Sequence, residues 1–176
     1  MKKAIQLIAL LLIVATLAIP ASAATTTPSV QQKGAPTVTT AGVTVSAVVD
    51  LDKAPAEVKA VMEEAYKVID EAKSLVEAVP AMAETLKEMK VDVKAENLVV
   101  RDVFHVALDK EIKEGEKQEI TFKAEGLKKG DFLMVMVFVD GEWVILDAEN
   151  VEITADGEVK VAFEQVGPVA FVTEQA

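Results

Sequence analysis

Phe132-Leu133-Met134-Val135-Met136-Val137-Phe138-Val139, followed by Asp140-Gly141 and then by Glu142-Trp143-Val144-Ile145-Leu146-Asp147, is the stretch that decides the fold. Eight apolar residues in a row leave neither face of a strand polar, so a strand over 132–139 must be covered on both faces. The two residues Asp140-Gly141 between the apolar runs are the strongest short-range hairpin signal. Residues 142–147 are therefore expected to fold back antiparallel on 132–139.

Toward the C-terminus, Val151 and Ile153 mark a further strand and Asp156-Gly157 a turn. Val159, Val161 and Phe163 then alternate with Lys160, Ala162 and Glu164, the pattern of a strand with one wet face. Gly167-Pro168 opens a last strand over 169–173. Toward the N-terminus, Leu98 to Leu108 reads as one strand, and Ile120, Phe122 and Ala124 mark another. Seven short strands with turn signals every 8 to 12 residues predict an antiparallel β-sandwich, immunoglobulin-like in size.

One face of 132–139 still lacks a cover. From Pro55 the apolar period changes to three and four, through Val58, Val61, Met62, Ala65, Val68, Ile69, Ala72, Leu75, Val76 and Val79. This predicts an amphipathic helix of about six turns, with Asp52 as cap and Pro55 in the first turn. Pro80 ends it, and a short second helix carries Met82, Leu86 and Met89. The expected class is α+β: an N-terminal amphipathic helix packed on a predominantly antiparallel sandwich, with helices over about 55–90 and strands over about 97–174.

The first 23 residues have the form of a cleavable signal peptide. Lys2 and Lys3 precede an apolar run from Ala4 to Ile19, and Ala21-Ser22-Ala23 is the small-x-small pattern of a cleavage site. The run has 16 residues, with Gln6 and Thr16 inside it, against roughly 20 for a membrane span. Residues 24–42, rich in Thr, Ala, Pro and Gly, read as a flexible tether. Val43, Val45, Ala47 and Val49 alternate as one added strand, so 43–176 is expected to be a single helix-plus-sandwich domain. Cleavage after Ala23 would remove Lys2 and Lys3 and take the net charge from −11 to −13. Such a chain repels nucleic acid and anionic membrane surfaces, and no stable membrane insertion is expected after cleavage. With no cysteine, stability must come from an ordinary core.

Four segments, Asn97-Leu98-Val99-Val100-Arg101-Asp102-Val103-Phe104, Gly126-Leu127-Lys128-Lys129-Gly130-Asp131, Asp140-Gly141-Glu142-Trp143 and Gly167-Pro168-Val169-Ala170-Phe171-Val172, occur in an order that resembles a recurring module. It is an uncharacterised C-terminal region of exported proteins from Gram-positive bacteria, and the resemblance spans residues 55–176. It implies an extracellular β-sandwich and carries over no catalytic or ligand residue. The module often has an acidic residue where this chain has His105.

The equipment for catalysis is sparse. Nucleophilic catalysis needs a hydroxyl or thiol beside an oriented base. His105 is the single histidine, and Ser29, Ser46 and Ser74 fall in the tether, the added strand and the helix. One histidine and no cysteine supply no zinc site, and Gly126, Gly130 and Gly141 form no phosphate-binding loop. Carboxylate pairs of the kind glycosidases use are conceivable among 29 acidic residues. Asp140, Asp147, Glu149, Asn150 and Asp156 lie in or beside turns, where calcium takes oxygen ligands, though turns favour Asp and Asn for backbone reasons too. Trp143 is expected in the core; exposed, it would serve a sugar-binding face. The expectation is a non-enzymatic exported binding or structural module, without cofactor or resident metal, whose partner is a protein or glycan at the cell exterior. A small carboxylate-dependent hydrolase and a carbohydrate-binding module are the alternatives.

Overall fold

A computed structural model describes residues 35–175, and the expected signal peptide lies outside the described residues. The architecture is predominantly β, with two antiparallel sheets, as the strand spacing predicts. Among the described residues the strands are β1 (Thr37–Val38), β2 (Val43–Ala47), β3 (Leu98–Leu108), β4 (Gln118–Lys123), β5 (Leu133–Val139), β6 (Glu142–Ile145), β7 (Val151–Ala155), β8 (Glu158–Phe163) and β9 (Pro168–Glu174). One sheet has the order β1-β4-β8-β7 and the other β2-β3-β9-β5-β6. All seven strands expected beyond residue 97 are present. The β5–β6 turn places both Asp140 (φ 51°) and Gly141 (φ 88°) in the left-handed region, the backbone that lets a two-residue loop follow the twist of its strands.

The unbroken apolar run of β5 divides between two cores. Leu133, Val135 and Val137 join a cluster from both sheets that includes Phe104, Phe122, Phe163 and Phe171. Phe122 meets Phe104, Phe171 and Phe163 with ring centroids 5.6, 5.6 and 6.1 Å apart. Burying one such ring contributes about 1.5–3 kcal/mol, and each tilted or edge-to-face pair adds about 0.5–1.5 kcal/mol. Met134, Met136 and Phe138 join a second cluster with Met62, Ala65, Ile69, Leu75, Met82 and Leu86. The division is also chemical: Met62, Met82, Met134 and Met136 are buried in this second cluster and Met89 packs against it, whereas the first contains no methionine.

The helical segment departs from the expected six-turn rod. It forms α1 (Ala56–Asp70), α2 (Leu75–Ala78) and α3 (Met82–Glu88), with a break at residues 71–74 ahead of the one at Pro80. Ser74 causes the earlier break. Its Oγ accepts from the backbone N–H of Glu77 (3.2 Å), while Glu77 Oε2 accepts from the N–H of Lys73 (2.9 Å), so a new helix start replaces continuation. Asp52 is not the cap of α1. Pro55 occupies that position, and Asp52 Oδ1 accepts instead from Lys59 Nζ at 3.4 Å.

The tether expected over 24–42 ends earlier than Gly42. Thr37 and Val38 pair with Lys123 and Phe122, the N–H of Thr39 donates to Thr121 O (3.1 Å), and Thr40 Oγ1 accepts from the N–H of Thr121 (2.9 Å). Pairing this short is decided by the partner strand, which composition does not reveal. The strand read from Val43 ends at Ala47, where a 3-10 turn begins.

Candidate functional site

Two clefts meet at a distortion in β3. Val100 lies opposite Val172 of β9, but Asp102 lies opposite Phe171, so Arg101 is an extra residue forming a β-bulge. After the bulge the alternation restarts: Val100 and Val103 both join the methionine-containing cluster, and Phe104 and Val106 the phenylalanine-containing one. Bulges of this kind redirect side chains. This one buries two charges, leaving Arg101 6% and Asp102 3% exposed.

Arg101 is the sole arginine of the chain. Its Nε–H donates to Asp102 Oδ2 at 3.0 Å, and Nη2 donates to the carbonyl oxygen of Glu125. The second bond ties β3 to the β4–β5 connection. Arg101 lines a cleft of about 610 Å³ together with Thr37, Lys123, Asp156 and Glu158, and another of about 420 Å³ together with Asp131, Thr173 and Glu174. A buried charge is tolerated where it is paired and hydrogen-bonded. The pair is charge-balanced, and the other charged residues lining the two clefts are mostly acidic. Sequence reading did not single these residues out. The available signal was two adjacent charges inside an otherwise apolar strand, which no period-two pattern accommodates.

The turn carboxylates considered for calcium lie in separate turns. Asp140 is in the β5–β6 turn, Asp147 and Glu149 are at the 3-10 turn after β6, and Asp156 is in the β7–β8 turn. Asp156 Oδ1 accepts from the N–H of Lys129, and Asn150 Oδ1 from Lys117 Nζ, both at 2.9 Å. Among the described residues, no three or more His, Cys, Asp or Glu side chains are grouped to hold a metal.

His105 lies on β3 directly opposite Ser46 of β2 and Pro168 of β9. Partial burial holds its imidazole below the usual 6.5, because desolvation disfavours the charged ring. Ser74 caps α2 as described above, and Ser29 lies outside the described residues. Lys160 is held above the usual 10.5 mainly by its hydrogen bond to Glu119 (2.8 Å), aided by the charges of Glu119 and Glu152 and opposed by desolvation. Neither shifted group lines the clefts at Arg101.

Trp143 is 5% exposed and packs on Phe138, ring centroids 5.3 Å apart. It is not available to stack on a sugar. Val144 is the one large hydrophobic residue exposed among the described residues. No family model, curated protein or solved structure matches this chain.

Proposed function

We propose that this chain is a non-enzymatic exported module acting by binding or structural association at the cell exterior. In this reading, residues 1–23 direct export, a Thr/Pro-rich spacer follows, and the folded part is a helix-covered antiparallel sandwich of immunoglobulin-like size. The observation that carries the reading is that side chains suited to chemistry are engaged in holding the fold together. Arg101 is bonded to Asp102 and to the Glu125 carbonyl, and the indole N–H of Trp143 is bonded to the Ala65 carbonyl. Buried polar groups satisfied in this way stiffen a scaffold. The resemblance of residues 55–176 to an extracellular module points the same way.

The test is to recover the protein from the producing cell, sequence its N-terminus and use the recovered form as bait against the surface fraction. A start at Ala24 outside the cell, with capture of a surface protein or glycan, supports the reading. Full-length protein confined to the cytosol would overturn it. Hydrolysis of a glycoside that disappears in Asp102→Asn would instead move the chain to the enzymes.

A further inference from the structure

One sheet is a strand narrower than the other, and the shortfall is on one side. In the five-stranded sheet β6 forms the outer edge next to β5; in the four-stranded sheet the edge is β7, which packs on β5. Beyond β5 the wider sheet carries one more strand, β6, while the narrower sheet ends at β7. Val144 pairs in register with Val137, whose side chain belongs to the core between the sheets, so Val144 faces the same way. It is 47% exposed. Val139, Leu146, Val151 and Ile153 pack on that core and are only partly buried. Together they form an apolar seam under the overhang, continuous with a groove of about 270 Å³ lined by Val137, Val144, Leu146, Asp147, Asn150 and Glu164.

We propose that this seam docks an extended, lysine-bearing segment of a partner protein, which adds to β7 as the fifth strand of the narrower sheet. The inference rests on the binding-module reading and names the surface that binds. An edge strand offers unpaired backbone groups to an incoming strand. β7 offers them over Val151–Ile153, before the register shift that precedes Ala155. Alternate residues of the added strand would face inward to cover Val144 and Leu146, and the others outward beside Glu152. Exposed Glu142, Asp147, Glu149 and Glu152 flank the seam and outnumber Lys117, which bonds Asn150 and Glu164, and Lys160, opposite Glu152, so positively charged outward residues complement it. A second copy of this chain is disfavoured because each carries a net charge of −11, and β7 pairing with β7 brings two copies of Glu152 into proximity.

The experiment titrates the full chain with two synthetic peptides, Thr-Val-Lys-Val-Lys-Val-Thr and the same peptide with Glu replacing Lys, followed by amide NMR. The lysine peptide should slow exchange of the Val151, Glu152 and Ile153 amides, and the glutamate peptide should bind at least about tenfold more weakly. Val144→Asp and the milder Val144→Thr should both weaken binding without moving the thermal midpoint. Failure of both peptides to bind, equal binding by both, or protection at the β1 or β2 edge would overturn the proposal. A concentration-dependent dimer protecting β7 would replace the partner with a second copy. If the surface-fraction capture succeeds while the peptides miss β7, the seam is wrong and the binding-module reading stands; peptide binding at β7 by a protein found only in the cytosol keeps the seam and overturns the exported role.

Discussion

The indole Nε1–H of Trp143, on β6, donates a 3.0 Å hydrogen bond to the main-chain carbonyl oxygen of Ala65, 78 residues earlier on α1. A carbonyl oxygen has two lone pairs, so the Ala65 oxygen can accept this bond as well as the helix bond from the N–H of residue 69. The contact fixes α1 against the edge of the wider sheet at a buried point.

Trp143→Phe keeps an aromatic ring in contact with Phe138 but removes the donor, and should cost about 1–3 kcal/mol in urea unfolding. Fluorescence of the native protein, which has one tryptophan, should be blue-shifted and shielded from iodide. Quenching as strong as in the unfolded chain would contradict the burial.

The bulge pair should respond asymmetrically. Arg101→Met leaves Asp102 without its guanidinium neighbour, and breaking a buried pair typically costs about 3–5 kcal/mol. Arg101→Met combined with Asp102→Leu removes both charges and should cost less than the two single substitutions together. A double-mutant cycle in guanidinium chloride reads the difference directly, and strict additivity would show that the two side chains do not act as a unit.

His105 sets a pH dependence. Its folded-state value is depressed by desolvation, so the stability linked to it is present above the unfolded value near 6.5 and is lost as pH falls through the folded value. His105→Gln should flatten the stability profile below about pH 6.5 while leaving the thermal midpoint near neutral pH little changed. An unaltered acid limb in the variant would assign the loss to the carboxylates.

Ser74→Ala removes the cap that starts α2 and should cost about 1 kcal/mol. The loss should appear as faster amide exchange around residues 75–79, with the amides of β5 and β9 retaining their protection.

Much of the β framework was legible because its signals are local. The Asp140-Gly141 turn, the alternation in β8 and the two-sided apolar run of β5 each follow from a few neighbouring residues. β1 was hidden, since two residues inside a Thr/Pro-rich stretch become a strand only through Thr121, Phe122 and Lys123, over 80 positions away. The break before α2 could have been read from Ser74 and Glu77 at capping-box spacing, but the apolar period running through Ala72 masked it. The bulge at Arg101 left a signal, two adjacent charges, that the reading of 98–108 as one strand passed over. Its partner Glu125 left none, because a backbone carbonyl carries no sequence signature.

The segregation of side chains between the two cores has a chemical consequence. With no cysteine in the chain, thioethers are its only sulfur, and every methionine after Met1 lies in or against the layer between the helices and the wider sheet. Conversion of a thioether to its sulfoxide places a polar group in an apolar layer and loosens it. Peroxide would therefore lift the helices while the phenylalanine-filled space between the sheets, with no sulfur to oxidise, stayed closed.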